Sequence, residues 1–142
     1  MYGLTDLQSQ TDLFPTVGVV EDPSVWRAAD GSFHALFHHE TGCAHFGPES
    51  ALNCGGHAFS VDGIDWHYPY INGSAYGENA SLVGGGMVRF AARQRPHVVL
   101  GPDGVTPVAL TNGAQLVGEG GKAGDATITF LQPIANGHGD SR

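Results

Sequence analysis

The sequence predicts an all-β protein built from antiparallel strands, with no long helix. Its 142 residues include 22 glycines and 8 prolines, which lie between short apolar runs and are not gathered in one linker. Because glycine and proline favour the backbone angles of turns, this distribution indicates many turns. Asp-Gly pairs at 30–31, 62–63 and 103–104 each separate two such runs, as they do in tight hairpins.

The predicted strands are short and follow one another closely. In the segment SFHALFHH, alternation places Phe33, Ala35 and Phe37 on one face and His34, Leu36 and His38 on the other, as expected of a strand. Strands are predicted at 24–27, 32–39, 57–61, 64–68, 95–100, 106–111 and 126–133, with a hairpin over 75–91 that has glycines 84–86 at its tip. A polar loop is predicted over 112–124, an irregular segment over 1–18 and a frayed tail over 135–142, so that the folded part spans 19–134.

Two units of this kind repeat along the chain. One opens at Pro23 and the other at Pro96, and each continues through an Asp-Gly turn, an apolar strand and a third strand after a loop. The first unit has a fourth strand and the second stops before one. Four-stranded antiparallel units repeated in sequence are typical of β-propeller blades, so we predict a fragment of about two to three blades. A β-sandwich, whose strands have similar lengths and spacing, is the alternative.

The charge composition narrows the range of partners. Six Lys and Arg residues against 14 Asp and Glu residues give a net charge of -8. Nucleic acids and anionic membrane surfaces attract clustered positive charge, so neither is an expected partner. No apolar run approaches the roughly 20 residues of a membrane span. The first ten residues carry no signal-peptide pattern.

Two cysteines, Cys43 and Cys54, lie in one loop-like stretch. A disulfide, two free thiols, or a metal site completed by His45 and His57 are the alternatives. A disulfide would favour an extracellular location, which the sequence otherwise leaves open. Because no Cys/His spacing template fits, we expect no metal and no cofactor.

Three strings resemble motifs of family-43-type glycoside hydrolases, which are five-bladed β-propellers of the arabinanase and levansucrase superfamily. EDPS at 21–24 resembles the motif that opens an inner strand in these enzymes. RQRPH at 93–97 is similar to the E-x-P motif of the following blade, and SVDGIDW at 60–66 to a turn common in such propellers. The resemblance covers about residues 19–134, and it implies that the chain is part of a five-bladed ring.

The resemblance also implies a carbohydrate-active protein with carboxylates at a central funnel. Asp22 matches the carboxylate that orients the general acid and tunes its pKa, and Gln94 stands at the general-acid position. Both are expected at one end of adjacent inner strands. A glutamine amide has no proton to donate as an acid, and only Asp6 and Asp12 are available as a base within 1–18. We therefore expect a propeller that is incomplete or inactive in this chain. A non-catalytic module that binds glycan or protein is the alternative.

Five further side chains are candidates for sugar binding. An indole ring suits the apolar face of a sugar, and guanidinium and imidazole groups suit its hydroxyls. Core packing and surface ion pairing are the competing explanations for these residues. Besides carbohydrate, the expected partners are the missing blades, or a second copy paired through exposed strand edges. The candidates are Trp26, His38, His57, Arg93 and Arg95.

Overall fold

A computed structural model describes residues 20–39, 55–68, 75–118 and 123–134 of the chain. These ranges contain strands, turns and bends but no helix, which confirms the predicted all-β class. The predicted segments 1–18 and 135–142, and both Cys43 and Cys54, lie outside the described residues. The strands are β1 (Val20–Arg27), β2 (Phe33–His39), β3 (Gly55–Ser60), β4 (Asn79–Ser81), β5 (Met87–Leu100), β6 (Pro107–Val117) and β7 (Ala123–Pro133).

The first sheet is antiparallel and has the order β1-β2-β3. The predicted turn at 30–31 joins β1 to β2, and Gly31 has a φ of 89° that suits glycine. The Asp30 carboxylate accepts hydrogen bonds from the backbone N–H and the hydroxyl of Ser32, at 3.0 and 2.6 Å. This local Asx-type turn explains why the Asp-Gly signal predicts the hairpin correctly.

The second sheet has the order β4-β5-β6-β7, and each pair of neighbours is antiparallel. Glycines 84–86 turn the chain between β4 and β5, as predicted, with φ values of 92°, 100° and 89°. The loop predicted over 112–124 is wrong over much of its length. β6 continues to Val117 and β7 begins at Ala123, because the polar Asn112 is buried and hydrogen-bonded inside the sheet instead of facing solvent.

The strand predicted over 64–68 is also wrong in its extent. Only His67 pairs there, through an isolated bridge to Phe59, and residues 61–65 form bends. The cause lies in the side chain of Asp62, whose Oδ1 accepts from the N–H groups of Ile64 and Asp65 at 2.9 Å each. These local bonds occupy donors that a strand would give to its neighbour.

The two sheets share one construction. β1 and β5 each contain a shift of register at a residue followed by proline, Asp22-Pro23 in β1 and Arg95-Pro96 in β5. Asp22 and Arg95 have φ values of 53° and 50°, in the left-handed region that non-glycine residues rarely adopt. Such a conformation costs on the order of 1–3 kcal/mol and persists only where surrounding contacts hold it. The repeat seen in the sequence therefore corresponds to a repeated bulge.

Apolar side chains from both sheets meet in a shared core. One buried cluster combines Leu36 of β2 with Val98 of β5 and Leu110 of β6, with the ring of Tyr76 beside them. The Ser24 hydroxyl of β1 accepts a buried hydrogen bond from the backbone N–H of Val98 at 3.0 Å. This bond joins β1 of the first sheet to β5 of the second.

No helix within the described ranges has the length and apolar character needed to cross a membrane.

Candidate functional site

The most unusual residue of the described core is Arg93 on β5, which is only 1% exposed. Its Nη1 donates to the carbonyl oxygen of Gly77 at 3.0 Å. Its Nη2 donates to Asn112 Oδ1 at 2.8 Å and to Gln132 Oε1 at 3.0 Å. The guanidinium also lies over the Tyr76 ring, 5.1 Å from its centroid, and over the Phe130 ring at 5.4 Å. Arg93 therefore joins β5, β6 and β7 to the segment before β4.

All the acceptors that Arg93 finds are electrically neutral. Within the described ranges Arg93 takes part in no ion pair, and its Nε is buried without an acceptor. Two described carboxylates from nearby segments are engaged elsewhere, Glu78 with Arg89 at 3.2 Å and Asp22 with Arg95 at 3.8 Å. Burial lowers the pKa of Arg93 from its usual value, while Tyr76 acts in the opposite direction. The site thus holds a buried positive charge without a described counter-ion.

Tyr76 forms the wall next to this charge. It is 7% exposed, and its ring occupies the space that a side chain at Gly55 would need. Its hydroxyl is buried and has no hydrogen-bond partner of good geometry among the described residues. Burial raises the pKa of Tyr76 well above its usual value, while the positive charge of Arg93 and the nearby amide of Asn112 act in the opposite direction.

A cavity of about 600 Å³ lies beside Arg93 and Tyr76. Its lining is mainly apolar, and Arg93 is the one charged residue among those that line it in the described part of the chain. A mostly apolar cavity with a few convergent polar groups is the usual form of a small-molecule site. The lining residues that matter most here are Tyr76, Asn79, Ser81, Arg93 and Gln132.

The two bulges meet at the edge of this region. The Asp22 carboxylate lies 3.8 Å from Arg95 Nε, and both side chains are substantially exposed. Arg95, the residue after Gln94, supplies this contact with Asp22. Gln94 is half-buried, and its carbonyl oxygen accepts from Asn112 Nδ2 at 3.3 Å. The two segments that carry Asp22 and Gln94 therefore meet through Arg95, and the proximity of the Asp22 and Gln94 side chains stays a prediction.

His38 lies one strand away, in β2. Its Nδ1 is 3.1 Å from Glu21 Oε1, and since a carboxylate can only accept, this nitrogen carries the hydrogen. His38 is 2% exposed, and its Nε2 is buried without a partner in the described structure. His38 pairs with Gly55 in the register of β2 and β3. The ring of Tyr76 occupies the space beside Gly55 that a side chain would need. His38, Tyr76 and Arg93 are thus the described residues with buried polar side-chain atoms left unpaired, a pattern that calls for an explanation in a folded protein.

Trp26 and His57 belong to a separate stack on the first sheet. The rings of Trp26 and His34 lie 5.2 Å apart at 19°, and those of His34 and His57 5.2 Å apart at 13°. Trp26 also packs against the shared core. One ring face of this tryptophan is therefore covered by His34, and the structure gives it a packing role.

A directed chain of hydrogen bonds runs through this stack. The Ser32 hydroxyl donates to Asp30, so it must accept from His34 Nε2–H at 3.0 Å. His34 Nδ1 and His57 Nε2 form the next hydrogen bond of the chain, at 2.9 Å. Burial lowers the pKa of His57, and His34 lowers it further. The stack therefore favours an uncharged His57.

The structure divides the predicted site residues into two groups. Asp22 lies at the bulge of β1, and Arg93, Gln94 and Arg95 lie at or directly before the bulge in the middle of β5. His38 pairs with Gly55, whereas Trp26 and His57 lie in the stack. Sequence reasoning missed Tyr76, Asn112 and Gln132, which bind or cover Arg93. No local pattern singles them out, because they come from three different segments. In the described ranges, no group of three or more His, Cys, Asp or Glu side chains is placed to hold a metal ion.

Comparison of the chain with protein-family models, with curated proteins and with solved structures finds no match.

Proposed function

We propose that this chain contributes neighbouring blades to a carbohydrate-recognising β-propeller and binds glycan without hydrolysing it. The observation that carries the proposal is the meeting of the two proline-linked bulges, where Asp22 and Arg95 share the same rare backbone conformation and lie 3.8 Å apart. In a propeller, the innermost strand of each blade lies beside the central channel. β1 is an edge strand of its sheet, and β4 pairs with β5 only at its beginning, from Met87 to Arg89, so beyond its bulge β5 has no described strand partner on that side. A pair of equivalent bulges in contact is what two neighbouring innermost strands produce.

The connections between strands favour a propeller over a β-sandwich. In each sheet, strands that follow one another in sequence are also neighbours in space, in the orders β1-β2-β3 and β4-β5-β6-β7. Propeller blades are simple meanders of this kind. Immunoglobulin-like sandwiches instead use Greek-key connections, in which the chain crosses from one sheet to the other.

The cavity beside Arg93 suits a ligand rich in hydroxyl groups. The amides of Asn79 and Gln132 and the hydroxyl of Ser81 offer donors and acceptors next to an apolar wall that includes Leu36 and Leu110. Sugars combine hydroxyl groups with apolar C–H faces, so a wall of both kinds complements them.

The same residues disfavour hydrolysis. Glycosidases need two carboxyl groups across the scissile bond, one of them protonated. Within the described ranges no carboxylate lines the cavity, Asp22 is paired with Arg95, and Gln94 has an amide at the position where the resemblance expects the acid. Loss of a general acid typically lowers the rate by about 10²–10⁴-fold.

The test combines a binding assay with a hydrolysis assay. The purified chain is screened on a glycan array, and is incubated with aryl arabinosides, xylosides and galactosides beside Gln94→Glu and Asp22→Asn variants. We expect selective glycan binding and no turnover by the unmodified chain. Turnover that disappears in Asp22→Asn would overturn the non-hydrolytic part of the proposal. Absence of binding to every glycan would overturn carbohydrate recognition itself.

A further inference from the structure

We infer that the cavity beside Arg93 recognises an anionic sugar, of which a uronate is the simplest, through its carboxylate. This inference rests on the proposed carbohydrate function and specifies the ligand class. The inference is based on Arg93, which is 1% exposed and lines a cavity of about 600 Å³. Its guanidinium pairs with no carboxylate in the described part of the chain.

The burial of a charged side chain has a cost in free energy. Removing a guanidinium from water is unfavourable unless an opposite charge or several hydrogen bonds replace the lost solvation. Arg93 has three hydrogen bonds to neutral oxygens and contacts with two aromatic rings, and its Nε–H remains unused. These contacts hold the side chain in place, and among the described residues no carboxylate pairs with its positive charge.

Arg93 gives the cavity a positive electrostatic potential. Among the described residues it is the one charged residue in the lining. An anion that enters the cavity is therefore attracted by Arg93 and is not repelled by a described carboxylate. In an apolar cavity the attraction is screened less than in water and acts over several ångströms, even without direct contact. A neutral sugar is bound only through contacts with its hydroxyl groups. A uronate makes the same contacts, and its carboxylate is in addition attracted by the positive charge of Arg93.

Gln132 makes a sharp test possible because it already touches the guanidinium. Its Oε1 accepts from Arg93 Nη2 at 3.0 Å, so Gln132→Glu keeps the shape and the acceptor while adding the missing negative charge. The control is Gln115→Glu, which adds the same charge on β6. Side chains alternate along a strand, so residue 115 points to the face opposite Asn112 and Ala114.

The experiment measures binding of the methyl glycosides of galacturonate and galactose, and of acetate, by titration calorimetry on the full chain. We expect the uronate to bind at least tenfold more tightly than the neutral glycoside and than acetate. In Gln132→Glu this preference should disappear, and the variant should unfold at a higher temperature than the unmodified chain, which shows that it is folded. Gln115→Glu should keep the preference.

Each other result contradicts a definite part of the reasoning. Equal affinity for the two glycosides refutes the anionic ligand and leaves glycan binding standing. Acetate that binds as tightly as the uronate shows a carboxylate site without sugar recognition, and refutes the uronate inference. No binding of either glycoside, when other glycans bind on the array, refutes this cavity as the site. A preference that survives in Gln132→Glu shows that Arg93 is not its source.

Discussion

Replacing Gly55 by alanine tests how the wall of the cavity is built. A Cβ atom at this position would overlap three atoms of the Tyr76 ring. The ring is 7% exposed and is held under the Arg93 guanidinium, 5.1 Å from its centroid. Either Tyr76 leaves its position or strand β3 shifts away from it, and both outcomes disturb the packing between the two sheets.

The expected loss has a lower and an upper bound. Forcing an additional methyl group into a packed interior typically costs about 1–3 kcal/mol. Complete expulsion of the tyrosine would expose about 150 Å² of ring surface, which at about 25 cal/mol per Å² corresponds to about 4 kcal/mol. We therefore expect Gly55→Ala to lower the free energy of unfolding by about 1 to 4 kcal/mol. Urea denaturation followed by tryptophan fluorescence measures the change.

Gly113→Ala in β6 is the matched control. A Cβ there meets nothing closer than the Gln94 carbonyl oxygen at 3.9 Å, so the variant should be neutral or more stable by up to about 1 kcal/mol. A second test measures Gly55→Ala in the background of Tyr76→Leu. Because leucine is smaller than tyrosine, most of the loss of stability caused by Gly55→Ala should be absent in this background. A change below about 0.5 kcal/mol for Gly55→Ala, or no relief in the double variant, would refute the packing of Tyr76 against Gly55.

Two further predictions concern the first sheet. Ser24→Ala removes the buried acceptor of the Val98 N–H and should lower the free energy of unfolding by about 1–3 kcal/mol in the same urea assay; a loss as small as that of an exposed serine would contradict the inter-sheet bond. The pKa of His57 is lowered on folding from 6.5, so the unfolded chain binds more protons and stability falls as the pH drops below this value. His57→Gln should reduce the stability difference between about pH 8 and about pH 5, and an unchanged difference would show that other groups cause it.

Much of the architecture follows from local sequence signals. The Asp-Gly turns at 30–31 and 103–104 join the strands as predicted, because an Asp side chain bonds nearby backbone N–H groups and glycine tolerates a positive φ, whatever the rest of the chain does. The same local chemistry misled the prediction at 64–68, where Asp62 holds the chain in a bend. Propeller closure stays a prediction, since it concerns contacts with further blades.

The candidate site depended on contacts between distant segments. The sequence by itself determined that Asp22 and Arg93 lie close to the two prolines that mark the repeat, since this is a matter of order along the chain. Only the tertiary structure decided that Arg93 is buried, that Tyr76 covers it, and that Gln132, 39 positions away, binds it. The physical reason is that a charged residue is normally exposed. Its burial becomes favourable only when acceptors from several strands converge on it, and no local pattern records that convergence.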